Sequence, residues 1–304
     1  MTAPLASAIV AAHHGRFGPA TPQATITLRG DHPVYVATKT ACTELGFIET
    51  DAEVLAQAWQ RQTERTGTFD PTAWPTEPED FDLAPWPRAN AFAPCPQALG
   101  LYAVLPDAQW VGRMARAGVP TVQLRFKHED RAAIAREVHA AVEAVQGTGA
   151  LLFINDHWRE AIAANAYGVH LGQEDLDTAD LNVIRNSGLR LGLSTHGYAE
   201  MLRVDAVSPS YIAMGAVYPT TLKAMATAPQ GPARLAAYAR LMRHHSLVAI
   251  GGIDAARMPE ALASGAGSVA VVRALVAAAD PEAEAQRLMA IVAQHARPHF
   301  FAES

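Results

Sequence analysis

From Leu101 onward, short runs of apolar residues alternate with longer alanine-rich stretches in which the apolar positions recur at helical spacing. The apolar runs predict eight strands, at Leu101–Leu105, Thr121–Phe126, Leu151–Asn155, Gly168–Leu171, Arg190–Thr195, Tyr211–Val217, Leu247–Gly251 and Ser268–Val272. A predicted helix follows each strand, at Ala108–Ala117, Arg131–Val145, His157–Ala166, Ala179–Asn186, Tyr198–Arg203, Pro232–His244, Ala255–Ala263 and Pro281–Ala296.

Eight consecutive strand–helix units are typical of an α/β protein whose parallel strands close into a (β/α)8 TIM barrel. Strands of such a barrel are buried on both faces, which explains why the apolar runs are continuous. No G-x-G-x-x-G motif follows the first strand, and this absence weighs against a dinucleotide-binding fold. We therefore expect the barrel to occupy residues 98–298, with a short tail over 299–304.

The chain before the barrel has a different pattern. Pro33–Ala37 is interpreted as a short strand, and Asp51 is a candidate cap for a helix that runs to about Arg65. One face of this helix is apolar and consists of Val54, Leu55, Ala58 and Trp59. Residues 1–68 are thus expected to form a small α+β segment, with too few elements for an independent enzyme.

Residues 69–97 are expected to form an irregular arm. Proline removes a backbone donor and disfavours helix at the residue before it. The prolines of this stretch are Pro71, Pro75, Pro78, Pro85, Pro87, Pro94 and Pro96. Because Trp74, Trp86 and Phe92 are interleaved with them, we expect the arm to lie on a protein surface rather than in solvent.

Charge and composition exclude several classes of partner. The chain has 24 Lys and Arg against 30 Asp and Glu, a net charge of −6, so no overall positive field attracts nucleic acid or an anionic membrane. The two cysteines, Cys42 and Cys95, are too few for a disulfide framework or a thiolate zinc site. The first residues lack the basic region of a signal peptide, and no long apolar stretch predicts a membrane span. We expect a cytoplasmic protein with small-molecule substrates, and leave homo-oligomerisation open.

The second predicted strand ends in an unusual polar sequence. Alternation places Gln123, Arg125 and Lys127 on one face, which predicts an anion site at the carboxyl end of the strand. The alternative is that Arg125 and Lys127 pair with Glu129 and Asp130 on the barrel rim.

Carboxylates follow the next two strands. Asp156 comes directly after Asn155 at the end of the third strand, and Asp175 lies in the loop after the fourth. Two carboxylates from neighbouring loops suffice for Mg²⁺, which otherwise keeps water or substrate phosphate as ligands. Either residue could instead be the N-cap of the helix that follows it.

Hydroxyl and glycine residues follow the remaining strands. Ser194 and His196 end the fifth strand, and His196 is either a buried, hydrogen-bonded residue or a catalytic base. A phosphate site is predicted from the loops after strands six, seven and eight, where neutral donors, glycines and cations occur together. Its residues are Thr220, Thr221, Lys223, Gly252, Val272 and Arg273.

Seven motifs together carry a family resemblance that spans about Leu101 to Ala296. They are VQLRFK, FINDHW, GVHLGQEDL, LGLSTH, GAVYPTTLK, VAIGGI and VAVVRAL. In this order and spacing the chain resembles thiamine-phosphate synthase. The resemblance implies a (β/α)8 transferase that couples 4-amino-2-methyl-5-hydroxymethylpyrimidine pyrophosphate with thiazole phosphate. The products would be thiamine phosphate and pyrophosphate, formed with Mg²⁺ by a dissociative substitution.

The resemblance also implies roles for individual residues. The residues that would contact the pyrimidine pyrophosphate are Gln123, Arg125, Lys127, Asn155, Ser194 and Lys223. Those of them expected to be catalytic are Arg125, Lys127, Lys223 and Ser194. Asp156 and Asp175 would hold Mg²⁺. The thiazole phosphate would lie against Thr220, Gly252 and Val272.

The chain departs from the family pattern at two positions. Leu222 stands where the family usually has a second threonine, and Arg273 stands where it usually has serine. We expect the cation of Arg273 to compensate for the missing hydroxyl.

Two other functions remain open at this point. A thiazole tautomerase of the same lineage would use a histidine such as His196 as a proton shuttle, but would not need the pyrophosphate-binding residues. A non-catalytic sensor of a thiamine precursor would bind both substrates without turnover.

Overall fold

The computed structural model describes residues 2–17, 26–220 and 228–295. Its strands form a closed parallel barrel in chain order, which confirms the predicted fold. The strands are β1 (Leu101–Leu105), β2 (Thr121–Leu124), β3 (Leu151–Asn155), β4 (Gly168–Leu171), β5 (Arg190–Thr195), β6 (Tyr211–Met214), β7 (Ser246–Ile250) and β8 (Ser268–Val271). The barrel closes where Tyr102 of β1 pairs with Ala270 of β8.

Helices surround the barrel in the order that the sequence predicts. They are α4 (Ala108–Arg116), α5 (Arg131–Ala144), α6 (Trp158–Ala163), α7 (Leu181–Asn186), α8 (Tyr198–Val207), α9 (Gly231–Leu241), α10 (Met258–Ala263), α11 (Arg273–Val276) and α12 (Pro281–His295). The short helix α11 has no counterpart in the predictions. Strands β2 and β6 end earlier than predicted, although the backbone N–H groups of Arg125 and Gly215 still donate to Leu105 and Thr195 of the neighbouring strands.

Buried side chains form two layers, one inside the barrel and one between strands and helices. The inner layer consists of Leu99, Tyr102, Val104, Phe153, Tyr211, Ala213, Val248 and Ala270. Gly192 makes room for one of its large rings, since a Cβ atom there would lie 2.1 Å from Cζ of Tyr211. Residues of the opposite parity, such as Ala103 and Leu105 of β1, pack in the outer layer. Burial on both faces is the reason for the continuous apolar runs.

The described part of the N-terminal segment contains helices and loops but no strand, so the predicted strand over Pro33–Ala37 and the α+β interpretation are wrong. Its helices are α1 (Thr2–Phe17), α2 (Pro33–Glu44) and α3 (Glu49–Thr66). Pro33 occupies the start of α2, where the missing N–H costs nothing and the fixed φ favours a helix. The buried positions Val34, Ala37 and Ala41 then recur at helical spacing. A five-residue apolar run is too short to reveal this period.

Asp51 is not the cap of its own helix. The N-cap of α3 is Ile48, whereas Asp51 is 3% exposed and accepts a hydrogen bond of 2.9 Å from the backbone N–H of Ala199. It therefore satisfies a free donor in the first turn of α8, a helix that lacks a side-chain cap of its own. Burial raises the pKa of Asp51 to about 6. The N-terminal segment is thus tied to the helix that follows β5.

The proline-rich arm packs along the barrel. Trp74 is buried and donates a 2.9 Å hydrogen bond from Nε1 to the hydroxyl of Tyr198. Phe92 is also buried, and its backbone N–H donates to the carbonyl oxygen of Ser208 at 2.9 Å. Trp86 stays half-exposed, with its ring edge-on to His245. These contacts agree with the expectation that the aromatic residues of the arm cover protein surface.

Candidate active site

The predicted site residues lie at or beyond the carboxyl ends of the strands, the face at which barrel enzymes build their active sites. The described members of the set are Gln123, Arg125, Lys127, Asn155, Asp156, Asp175, Ser194, Thr220, Gly252, Val272 and Arg273. Thr221 and Lys223, which the sequence assigns to the same face, lie outside the described residues.

The QLRFK sequence divides into an inner and an outer part. Gln123 is 4% exposed and its Nε2 donates to the hydroxyl of Tyr102 at 3.0 Å, inside the barrel. Arg125 and Lys127 are exposed on the loop after β2. Phe126 between them is half-buried. The two cations are therefore available at the rim to an anionic ligand.

Lys127 forms an ion pair with Asp156, which joins the loops after β2 and β3. It does not pair with Asp130, whose carboxylate instead caps α5 through the N–H of Ala132 at 2.9 Å. Asp156 has a φ of +65°, a left-handed backbone conformation that costs a non-glycine residue about 1–3 kcal/mol. The carboxylate of Asp156 lies beside Lys127, and His157 rather than Asp156 is the N-cap of the next helix.

Neither candidate metal ligand caps the helix that follows it. His157 is the N-cap of α6, and Asp180 is the N-cap of α7. Asp175 is half-buried, and its Oδ2 accepts a 2.8 Å hydrogen bond from the backbone N–H of Gly172. Burial and the nearby negative charge of Asp156 both raise the pKa of Asp175. Two facing carboxylates of this kind suit an additional cation.

The donor set fits a hard cation such as Mg²⁺. Within residues 2–17, 26–220 and 228–295, no three His, Cys, Asp or Glu side chains cluster closely enough for a complete protein-only metal site. A magnesium ion held by Asp156 and Asp175 would take its other ligands from water or from substrate, as Mg²⁺ commonly does.

A chain of hydrogen bonds crosses the barrel interior below this rim. The hydroxyl of Tyr102 lies 2.7 Å from that of Tyr211, which lies 2.7 Å from Nδ1 of His170. Nε2 of His170 lies 2.8 Å from Oγ of Ser194. Burial lowers the pKa of His170 to about 4. Sequence reasoning missed the histidine and both tyrosines, although polar groups at inward-facing strand positions were a usable signal.

Ser194 and His196 have different surroundings. Ser194 is half-buried at the mouth, and its carbonyl oxygen accepts a 2.7 Å hydrogen bond from Nε2 of Gln173. His196 is engaged by Glu200, which lies 2.7 Å from its Nδ1 and accepts its backbone N–H at 2.8 Å. His196 therefore lies at the start of α8 as a half-buried, hydrogen-bonded residue, and its role as a catalytic base stays a prediction.

The described members of the predicted phosphate site lie on three loops at the carboxyl face, after β6, β7 and β8. Gly252 has a φ of +65°, and a Cβ atom there would lie 2.6 Å from the carbonyl oxygen of Pro219. The loop after β7 thus packs directly against the loop that carries Thr220. Val272 is the N-cap of α11, and Arg273 is exposed at the first position of that helix.

Comparison with known proteins identifies relatives of the barrel. The family model described as thiamine monophosphate synthase matches residues 101–275. A thiamine-phosphate synthase from Neisseria meningitidis is 54% identical over 200 residues, which cover 66% of this chain and 98% of the relative. One from Cronobacter sakazakii is 51% identical over 198 residues, covering 65% of this chain and 94% of the relative.

A solved structure gives the same picture of the fold. The thiamine phosphate pyrophosphorylase from Pyrococcus furiosus is 25% identical and superimposes with a TM-score of 0.58. The match covers 65% of this chain and 96% of that one. The residues before Leu101 lie outside the family match. No helix of the described residues is long and apolar enough to span a membrane.

Proposed function

The chain belongs to the thiamine monophosphate synthase family, and we propose that it joins a pyrimidine pyrophosphate to a thiazole phosphate, giving thiamine phosphate and pyrophosphate. The observation that carries this proposal is the ion pair between Lys127 and Asp156, with the Asp175 carboxylate near Asp156 and an exposed Arg125 on the same loop as Lys127. Cations and paired carboxylates at one rim suit a pyrophosphate and its metal ion.

The reaction needs little covalent chemistry from the protein. The bond between the pyrimidine methylene carbon and the pyrophosphate oxygen breaks, and both electrons leave with pyrophosphate. The aminopyrimidine ring stabilises the resulting cation, and the lone pair of the thiazole nitrogen forms the new C–N bond. The barrel mouth must stabilise the departing charge and hold the two substrates close together.

The residues of the mouth divide this work. Arg125, Lys127 and, outside the described residues, Lys223 would stabilise the departing pyrophosphate, while Gln123 and Asn155 would orient the pyrimidine ring. Asp156 and Asp175 would hold Mg²⁺, which supplies further charge stabilisation on the pyrophosphate when bound. Ser194 would donate a hydrogen bond beside the reacting centre.

The thiazole phosphate belongs to the opposite side of the mouth. Thr220 and Thr221 would donate from the loop after β6, while Gly252 and Val272 would offer backbone donors. Arg273 would add a cation that offsets the hydroxyl missing at Leu222. We further propose a cytoplasmic location, in which the free thiols of Cys42 and Cys95 remain reduced.

Thiamine phosphate formation by the full chain, measured with both substrates and with or without Mg²⁺, tests this function. We expect turnover that requires Mg²⁺ and falls at least tenfold in Arg125→Ala. Arg113→Ala is the matched control, because Arg113 pairs with Glu282 between α4 and α12, outside the barrel mouth. Binding of both substrates without turnover would support a sensor instead, and proton exchange on the thiazole alone would support a tautomerase.

A further inference from the structure

The interior network joins five side chains from opposite sides of the barrel. Tyr102 lies on β1, His170 on β4 and Tyr211 on β6, so their contacts cross the centre of the barrel. Gln123 stands at one end of the network and Ser194 at the other. All the members except Ser194 are buried, whereas Ser194 reaches the mouth.

Counting hydrogens assigns a direction to every bond in the network. Nε2 of Gln123 can only donate, so the hydroxyl oxygen of Tyr102 accepts this hydrogen bond. The single hydrogen of the Tyr102 hydroxyl is then donated to the hydroxyl oxygen of Tyr211. Because Tyr211 accepts from Tyr102, the hydroxyl of Tyr211 donates its own hydrogen bond to Nδ1 of His170. A histidine that accepts at Nδ1 carries its proton on Nε2 and donates to Oγ of Ser194.

We propose that Tyr102, Tyr211 and His170 are positioning residues that make the Ser194 hydroxyl a hydrogen-bond donor toward the substrate. Oγ of Ser194 accepts from His170, and it has no second hydrogen-bond partner in the described part of the chain. Its hydrogen is therefore left to an acceptor atom at the mouth. Only the identity of that acceptor, a pyrimidine ring nitrogen or a pyrophosphate oxygen, depends on the proposed function.

The network also explains why two of the rings in the barrel centre, Tyr102 and Tyr211, carry hydroxyls. Phenylalanine at either tyrosine position would pack equally well, but it would break the chain of hydrogen bonds that leads from Gln123 to His170. Nδ1 of His170 would then no longer be fixed as an acceptor. The reverse polarity requires an acceptor at the Gln123 end, and it would turn the Ser194 hydrogen inward to His170. The tautomer of His170 distinguishes the two polarities.

Nitrogen-15 NMR of the full chain, labelled at histidine, measures that tautomer without any substrate. We expect the neutral form with the proton on Nε2 for His170, identified by comparison with His170→Gln. In Tyr211→Phe we expect the form protonated at Nδ1 to become populated, because nothing then donates to Nδ1. Tyr198→Phe is the matched control, since Tyr198 is equally buried but its hydroxyl bonds Trp74 in the outer layer.

Kinetics supply the second readout. In Tyr211→Phe, kcat should fall about tenfold, the effect of one lost hydrogen bond, while the KM for thiazole phosphate stays unchanged. His170→Gln, which keeps a donor near Ser194, should retain more activity than His170→Leu. A proton on Nδ1 in the wild type, or an unchanged tautomer and kcat in Tyr211→Phe, would overturn the proposal. A chain that forms no thiamine phosphate but shows the Nε2–H tautomer would refute the function and leave the network polarity standing.

Discussion

The barrel holds two buried histidines at opposite ends, and their partners differ in kind. His170 near the carboxyl ends of the strands is bound by the hydroxyls of Tyr211 and Ser194. His245, which directly precedes β7 at the amino ends, lies 2.8 Å from Oδ1 of Asp205. The other carboxylate oxygen of Asp205 accepts a 2.7 Å hydrogen bond from Nη2 of Arg88 in the arm.

The difference separates a network that serves a ligand from one that holds the structure together. In the His245 network, His245 and Arg88 both bond the carboxylate of Asp205, and the Arg88 contact fastens the arm to the barrel. The His170 network is neutral and ends in a hydroxyl at the mouth. A buried polar network between two elements fixes how they pack together, whereas one that ends at a surface leaves a donor for a ligand.

Removal of the arm and the N-terminal helices should give the largest change. A chain that starts at Gln97 keeps every predicted site residue but loses Arg88 and the buried rings of Trp59 and Trp74. Burial of each large aromatic ring contributes roughly 1.5–3 kcal/mol. We expect thiamine phosphate formation to persist in a protein with a much lower free energy of unfolding, measured by denaturant titration. Equal stability would contradict the packing role, and a folded but inactive product would mean that the N-terminal part completes the site.

Asp205→Asn should act on stability alone. Removing one partner of a buried ion pair costs about 3–5 kcal/mol, because the buried charge of Arg88 then lacks its counter-ion. Burial by itself would raise the pKa of Asp205, but hydrogen bonds from His245 and Arg88 outweigh it and hold the pKa below its usual value. Calorimetry should show a lower Tm in the variant, with turnover per folded molecule unchanged.

The pH dependence of this variant provides the control. A carboxyl with a lowered pKa stabilises the fold above its unfolded pKa, and this stabilisation is lost as the pH falls through the folded value. The wild type should therefore lose this contribution below about pH 4, whereas Asp205→Asn should lack that part of the acid transition. Identical acid transitions in the two proteins would contradict the role given to Asp205.

Asp156→Asn and Asp175→Asn should lower turnover and leave stability nearly unchanged, the opposite of what we expect for Asp205→Asn. Each should lower turnover by more than tenfold, because each weakens the hold on the metal ion and hence the stabilisation of the leaving group. Thermal unfolding without substrate should change little, since both carboxylates lie at the partly exposed rim. Near-normal turnover of both variants at limiting Mg²⁺ would remove the metal assignment.

The smallest effect is expected from Arg273→Ala. Arg273 is exposed, so its loss should weaken binding of thiazole phosphate only severalfold and leave the KM for the pyrimidine pyrophosphate unchanged. In the same titrations, Arg125→Ala should raise the KM for the pyrimidine pyrophosphate and leave the affinity for thiazole phosphate unchanged. An unaltered affinity for thiazole phosphate in Arg273→Ala would mean that this arginine does not compensate for Leu222.

The sequence predicts most of the barrel and of the candidate site, and the predictions that are wrong have identifiable physical causes. The eight strands follow from short apolar runs that alternate with helical stretches, and the residues at the carboxyl ends of the strands follow from chain order. The strand predicted at Pro33–Ala37 failed because its five residues do not reveal a helical period. Asp51 was assigned to its own helix because a cap for α8, reached through Ala199, has no local signal.

The sequence by itself thus determined the barrel, the order of its loops and the types of residue that surround the mouth. Only the tertiary structure decided which groups meet, such as Lys127 with Asp156, or His170 with Tyr211, which lie 41 residues apart. The physical reason is that periodicity encodes the backbone conformation of each segment separately. Contacts across the barrel exist only after closure, when the curvature of the sheet brings side chains from distant strands to one centre.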